Sequence, residues 1–262
     1  MAHSPVNLYP HLNIKVNKNP NRFYAFPVLG IVVKMIMLIP VFLEAFFLGI
    51  AFLFFLVANP FVVLFTGNYW ESAYNFFLGM MRFYTKLYIF ILGLSDEYPG
   101  FNLKENSRFE LTITKPTHPN KWLAFPLFGF IIRIILLIPY QIYSQVLRNG
   151  SFIAMVISWF TVIFTDKIPE SLYEFEQDSL RVALADMSYI VGISDKYPSF
   201  MISMNHQTVK ILLIIAGAIL FASNVAGDMK EKPEKRMYRE DYHYEQNGQG
   251  NDTNYNYYKK TY

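Results

Sequence analysis

From Phe23 to Thr66 the chain is apolar almost without a break, interrupted only by Lys34, Glu44 and Asn59. A hydrocarbon core about 30 Å thick is crossed by roughly 20 helical residues, so this run is long enough to span a membrane. Pro40 divides it, because proline removes a backbone donor and disfavours helix at the preceding residue. The pattern therefore predicts a segment A, Phe23–Ile39, lying in the interface with Lys34 snorkelling to headgroups. A span B follows from Pro40 to Phe65 and stops at Thr66-Gly67. The alternative is that A is a first span kinked at the proline. Segment C, Trp70–Leu94, is amphipathic, with Glu71, Asn75, Gly79, Arg82, Lys86 and Gly93 on one helical face. Intramembrane charges of this kind face protein or water. Ahead of A, His11–Val16 alternates with period two and reads as a half-buried strand.

The whole pattern returns at a fixed offset of 99 residues. Pro20-Asn21, Gly30, Pro40, Phe65-Thr66, Arg82, Ser95-Asp96 and Tyr98-Pro99 recur as Pro119-Asn120, Gly129, Pro139, Phe164-Thr165, Arg181, Ser194-Asp195 and Tyr197-Pro198. Two copies are too few for a solenoid, so the chain reads as two like modules, 8–101 and 107–200, related by a pseudo-twofold. The second strand, Phe109–Thr114, is expected to pair with the first as a small cap outside the bilayer. In the second copy Arg133 takes the place of Lys34, and Gln141, Gln145, Arg148 and Asn149 shorten the apolar core of B. The second C carries Glu170, Glu174, Asp178, Arg181, Ala185 and Gly192 on one face, with Asp186 further along. Asp178 and Arg181 lie three apart, which permits an intrahelical ion pair. A last apolar helix covers 208–226, and a polar tail with seven tyrosines covers 228–262.

The fold class expected is an all-α integral membrane protein: two tandem helical modules, one extra C-terminal transmembrane helix and a small strand pair. Two crossings per module plus the last helix give five spans. Three per module give seven, with the modules inverted, and the basic residues do not choose between them. Composition agrees, at 53% hydrophobic and only 16% charged residues against about 25% charged in soluble domains. The membrane expected is an energy-transducing or cytoplasmic one. Residues Met1–Pro5 lack a basic region followed by an apolar one, so no cleaved signal peptide is expected.

The absence of cysteine excludes disulfides, thiol nucleophiles and Cys-based metal sites. The five histidines are scattered, and no phosphate loop, nucleophile elbow or HExxH helix occurs. No catalytic residue, metal or cofactor is therefore expected. No basic stripe alternates with stacking aromatics, which argues against nucleic acid as a partner. The candidate polar or lipid-headgroup residues are Lys34, Arg82, Arg133, Glu170, Glu174, Asp178 and Arg181. The α-helical stripe from Glu170 to Arg181 reads either as a proton, ion or headgroup path or as a solvated, protein-facing helix side.

The module pattern resembles the membrane domain known as domain of unknown function 4389, over about residues 8–200. Phe65-Thr66-Gly67 and Asp96-Glu97-Tyr98-Pro99 carry the resemblance in copy one, and Phe164-Thr165-Asp166 and Asp195-Lys196-Tyr197-Pro198 in copy two. It implies a duplicated membrane fold and no particular activity. The leading expectation for function is a non-catalytic scaffold or accessory subunit of a larger membrane assembly, with lipids and other subunits as partners. The tail motivates it, since such a segment cannot bury enough apolar surface to fold alone. Its docking residues would be Tyr238, Tyr242, Tyr244, Tyr255, Tyr257 and Tyr258, because tyrosine offers large contact area with few rotamers to freeze. The alternative is a transporter or channel for ions or lipids, with a charged pathway between the modules. An enzyme acting within the membrane has no constellation to support it.

Overall fold

The computed structural model describes residues 9–26, 28–203 and 205–247, with side chains as far as residue 227. In chain order the elements are β1 (His11–Ile14), α1 (Arg22–Ala25), α2 (Leu29–Thr66), α3 (Glu71–Leu92), β2 (Phe109–Thr112), α4 (Phe128–Thr165), α5 (Glu170–Ile190) and α6 (Gln207–Asn247). The molecule is mostly helical, and α2, α4 and residues 207–227 of α6 are long and apolar enough to cross a membrane. The chain divides into two units, 1–218 and 219–262. The first contains the strand pair, α1 to α5 and the start of α6; the second holds the rest of α6 and the tail.

From Leu29 and Phe128 onward, segments A and B form one helix in each copy, while the first residues of A, 23–28 and 122–127, lie ahead of it. Pro40 and Pro60 lie inside α2 and Pro139 inside α4, and each helix runs on for 38 residues. The break expected at Pro40 and Pro139 does not occur: the helix runs through each proline at the cost of one backbone hydrogen bond. A seven-span arrangement, which needs a turn at Pro40, is not what forms. Both long helices stop where the sequence says they should, at left-handed Gly67 (φ 72°) and Asp166 (φ 57°). Their starts are less ordinary. Val28 and Leu127 take positive φ, a conformation uncommon for residues with a Cβ, and the chain then doubles back on the preceding turn. A Cβ on Gly30 would stand 2.4 Å from the Tyr24 carbonyl oxygen, and one on Gly129 2.3 Å from that of Leu123.

The strands pair antiparallel as expected, Leu12 opposite Leu111, His11 opposite Thr112 and Asn13 opposite Glu110. Shifted by 99, this register maps onto itself, so a local twofold axis passes through the leucine pair. The same symmetry governs the helices beneath. Tyr173 on α5 donates to the Ile14 carbonyl, and Tyr74 on α3 donates to that of Ile113. Each strand therefore rests on the other module's helix. The core is shared in the same way: Leu12, Ile14, Phe77 and Met81 of the first copy pack with Phe109, Leu111, Leu180 and Leu184 of the second.

The strand pair sits against the middle of α3 and α5. Gln177, midway along α5, accepts from the Ile14 N–H at 2.9 Å. Arg82, at the centre of α3, bridges to Glu105 at 3.0 Å, and Glu105 also accepts from the Leu111 N–H. The outward apolar face of α2 is uncovered, with Phe46, Phe47, Leu53 and Val57 each more than 60% exposed. Residues 207–218 of α6 cross α4 closely, since a Cβ on Gly217 would meet the Val146 carbonyl oxygen at 2.2 Å. Small residues at such crossings let helix backbones approach.

Candidate functional site

The polar groups gather at three places, and the first two involve residues 99 positions apart. Near the start of α4, Arg133 is 4% exposed and turns inward. It donates to the carbonyls of Leu123, Tyr189 and Ser194 at 3.2, 2.7 and 3.0 Å, and to Asp195 Oδ1 at 2.5 Å. The other oxygen of Asp195 accepts from the Asn120 N–H at 2.7 Å, and Asn120 Oδ1 accepts from the Trp122 N–H at 3.0 Å. Thus the Ser-Asp-x-Tyr-Pro motif ties the end of α5 to the entry of its own module. A cation there meets the carbonyl end of a helix, where the helix dipole favours it.

The first copy repeats the clamp with a shorter cation. Lys34 is buried, reaches the Ile91 carbonyl at 3.4 Å and lies over the rings of Tyr24 and Phe90. Asp96 accepts from the Asn21 N–H and from Asn17 Nδ2, both at 2.8 Å. Left-handed Gly93 and Gly192 leave room for the Lys34 and Arg133 head groups. Lys34 and Arg133 therefore turn into the protein and do not snorkel to headgroups, Arg133 onto helix carbonyls and Asp195, and Lys34 onto the Ile91 carbonyl. Between the modules, Arg22 pairs with Asp166 at the end of α4. That exposed contact holds the Asp166 carboxyl below its ordinary range through the hydrogen bond.

The third group is the face of α5. Asp178 and Arg181 form the ion pair that the spacing permits, at 2.5 Å and nearly buried. Ser203 joins them, its N–H donating to Asp178 Oδ2 at 2.6 Å and its hydroxyl to Oδ1 at 2.9 Å. Glu174 accepts from the Asn205 N–H at 3.1 Å and lies 3.1 Å from His206 Nδ1. Glu170 stands exposed in the first turn. These residues latch the segment that leads into α6. Arg82 and Lys86 on α3 do the equivalent for the linker, Arg82 through Glu105 and Lys86 through Asn102. The Arg82 guanidinium is thus turned to the linker.

Glu176 escaped the sequence reading. It is 1% exposed and accepts from Ser151, whose hydroxyl lies 2.7 Å from that of Tyr88. The group joins α3, α4 and α5, and α5 is not among the helices apolar enough to span. Burial pushes the Glu176 carboxyl up to about 8, against the pull of Ser151 and Tyr88. One signal was available: Tyr173, Glu176, Leu180 and Leu184 share helical spacing, so Glu176 lies on the apolar side of α5. Among the described residues no group of three or more acidic or histidine side chains could hold a metal ion. Tyr238, Tyr242 and Tyr244 fall within α6, whereas Tyr255, Tyr257 and Tyr258 lie outside the described residues.

These features define a mostly helical molecule with a small antiparallel strand pair and, among the described residues, three apolar helices of membrane-spanning length. Residues 129–202 match the family described as Domain of unknown function (DUF4389), which places the match on α4, α5 and the Tyr-Pro segment. No curated protein and no solved structure matches the chain.

Proposed function

We propose that this protein is a non-catalytic scaffold or accessory subunit of a membrane assembly. Its two modules derive from one duplicated domain and lie along a single face of the bilayer. The apolar part of α6 anchors them, and the tyrosine-rich tail docks on a partner subunit. The observation that carries the reading is the polar cap at mid-length of α3 and α5. Upright helices would hold an open two-stranded sheet and the Arg82–Glu105 bridge at the bilayer centre, where sheet edges are not tolerated and charges are costly. Length argues the same way: 38 helical residues extend about 57 Å, nearly twice the hydrocarbon thickness of about 30 Å. Laid in the plane, α2 and α4 bury their apolar faces among acyl chains and leave the cap in water.

Helices lying in the plane offer no route across the membrane, which favours the scaffold over the transporter. The latched state of Glu174, Asp178 and Arg181 supports the same choice. The test is a tail deletion. Residues 1–227 should still fold in mild detergent yet lose the partner subunits that co-purify with the full chain. If the truncated protein stays in its complex at full occupancy, the tail does not dock the partner and the scaffold reading falls.

A further inference from the structure

Two clefts lie at positions related by the 99-residue offset, and their linings differ at several equivalent residues, Pro60 against Trp159 among them. On the first side, the cleft between the Lys34 clamp and the end of α4 is split into chambers of about 10 and 320 Å³, and Trp159 lines both. On the second, the cleft between the Arg133 clamp and the end of α2 is one cavity of about 410 Å³. Pro60 stands in α2 where Trp159 stands in α4. Trp159, Lys34 and Leu92 line both chambers of the first cleft, and the indole is the bulky group that the second cleft lacks, with Pro60 in its place.

The open cavity has the dimensions and chemistry of a ligand site. Pockets for small molecules run about 300–1,000 Å³ and combine apolar walls with a few polar groups. Here Leu56, Phe61, Phe125 and Phe130 form walls, while buried Asn59 and Tyr69 and exposed Asn120 give the lining uncharged polarity. Arg133 and Asp195 are the charged residues of the lining, and they neutralise each other. At the rim Leu127 is 78% exposed, so the cavity continues the apolar face of α4. We propose that this cavity binds a single-chain membrane lipid with an uncharged, hydroxyl-bearing head, its chain between the phenylalanines and its head against Asn59, Asn120 and Tyr69. A charged head would find no unmatched opposite charge in the lining, and a second chain would have no room.

The ligand's source rests on the membrane reading above, so the experiment separates the two. Delipidated full-length protein in detergent is titrated with monoolein and followed by native mass spectrometry, while flotation with liposomes is measured in parallel. Wild type should bind one monoolein, and Pro60→Ala, which keeps the cavity, should bind within twofold. Pro60→Trp, which copies the indole that α4 already accommodates, should bind at least tenfold more weakly. Trp159→Ala should gain a second bound molecule. If Pro60→Trp does not fold, Pro60→Leu should give a smaller loss in the same direction. Equal binding by wild type and the plugged variants overturns the proposal, as does equally tight binding of anionic lysophosphatidic acid. Monoolein binding without flotation would overturn the membrane reading alone; flotation without binding would overturn the cavity proposal alone.

Discussion

Glu176 is the residue whose environment departs furthest from that of its type. One of its oxygens takes the Ser151 hydroxyl and the other has no hydrogen-bond partner among the described atoms. A carboxyl in that setting is better neutral, and burial accordingly raises it to about 8, against about 4.3 for a free glutamic acid. The sign of the pH effect follows. Below about pH 4 both folded and unfolded chains hold the proton, and the site contributes fully. As pH rises the unfolded chain ionises first, so stability is lost progressively until the folded carboxyl ionises near 8. Glu176→Gln keeps the shape and removes the titration. Thermal unfolding in detergent should show wild type losing stability relative to the variant between about pH 5 and 8, by an amount on the order of several kcal/mol. Parallel curves for the two proteins over that range would mean that Glu176 is solvated.

At the scale of elements, the two copies are not separable bodies. Each strand is held by the other module's helix, and the largest core cluster draws on both. A fragment covering 107–200, though it contains most of the family match, leaves Leu111, Leu180 and Leu184 without Leu12, Ile14 and Phe77. It should not give a cooperative thermal transition in detergent. Co-expression with 8–106 should restore one at a midpoint close to that of the intact chain, and a cooperative transition of 107–200 alone would refute the shared core. The strand segments, the helix stops at Gly67 and Asp166 and the Asp178–Arg181 pair were readable from residue order, because each depends on local pattern. The pairing of the strands joins positions about 100 residues apart and was suggested by the repeat. Two features were not readable. Pro40 and Pro139 signal a break, yet the helix continues through both, since one lost backbone bond, about 3 kcal/mol, costs less than leaving a whole turn's N–H and C=O groups unpaired in apolar surroundings. Lys34 and Arg133 look like interfacial cations in sequence. Only the fold brings the carbonyls of Ile91 and Tyr189 to them, from the far end of the next helix in the chain.

For the whole molecule the question is how the apolar faces of α2 and α4 meet the bilayer. If α2 stood upright, its two ends would emerge on opposite sides. If it lies in the plane, Asn19 before it, Asn68 after it and Lys104 in the linker all face the same aqueous phase. The chain has no cysteine, and all three positions are exposed, so single cysteines placed there report without background. In sealed vesicles a membrane-impermeant maleimide should label all three from the same side, to similar extents. Lys104→Cys is the sharpest of them, because its neighbour Glu105 is held by Arg82 at the centre of α3. An upright α3 would bury that position in hydrocarbon, and it would resist the reagent from either side. Labelling of positions 19 and 68 from opposite sides would show that α2 crosses, return the chain to a five-span arrangement and reopen the transporter reading.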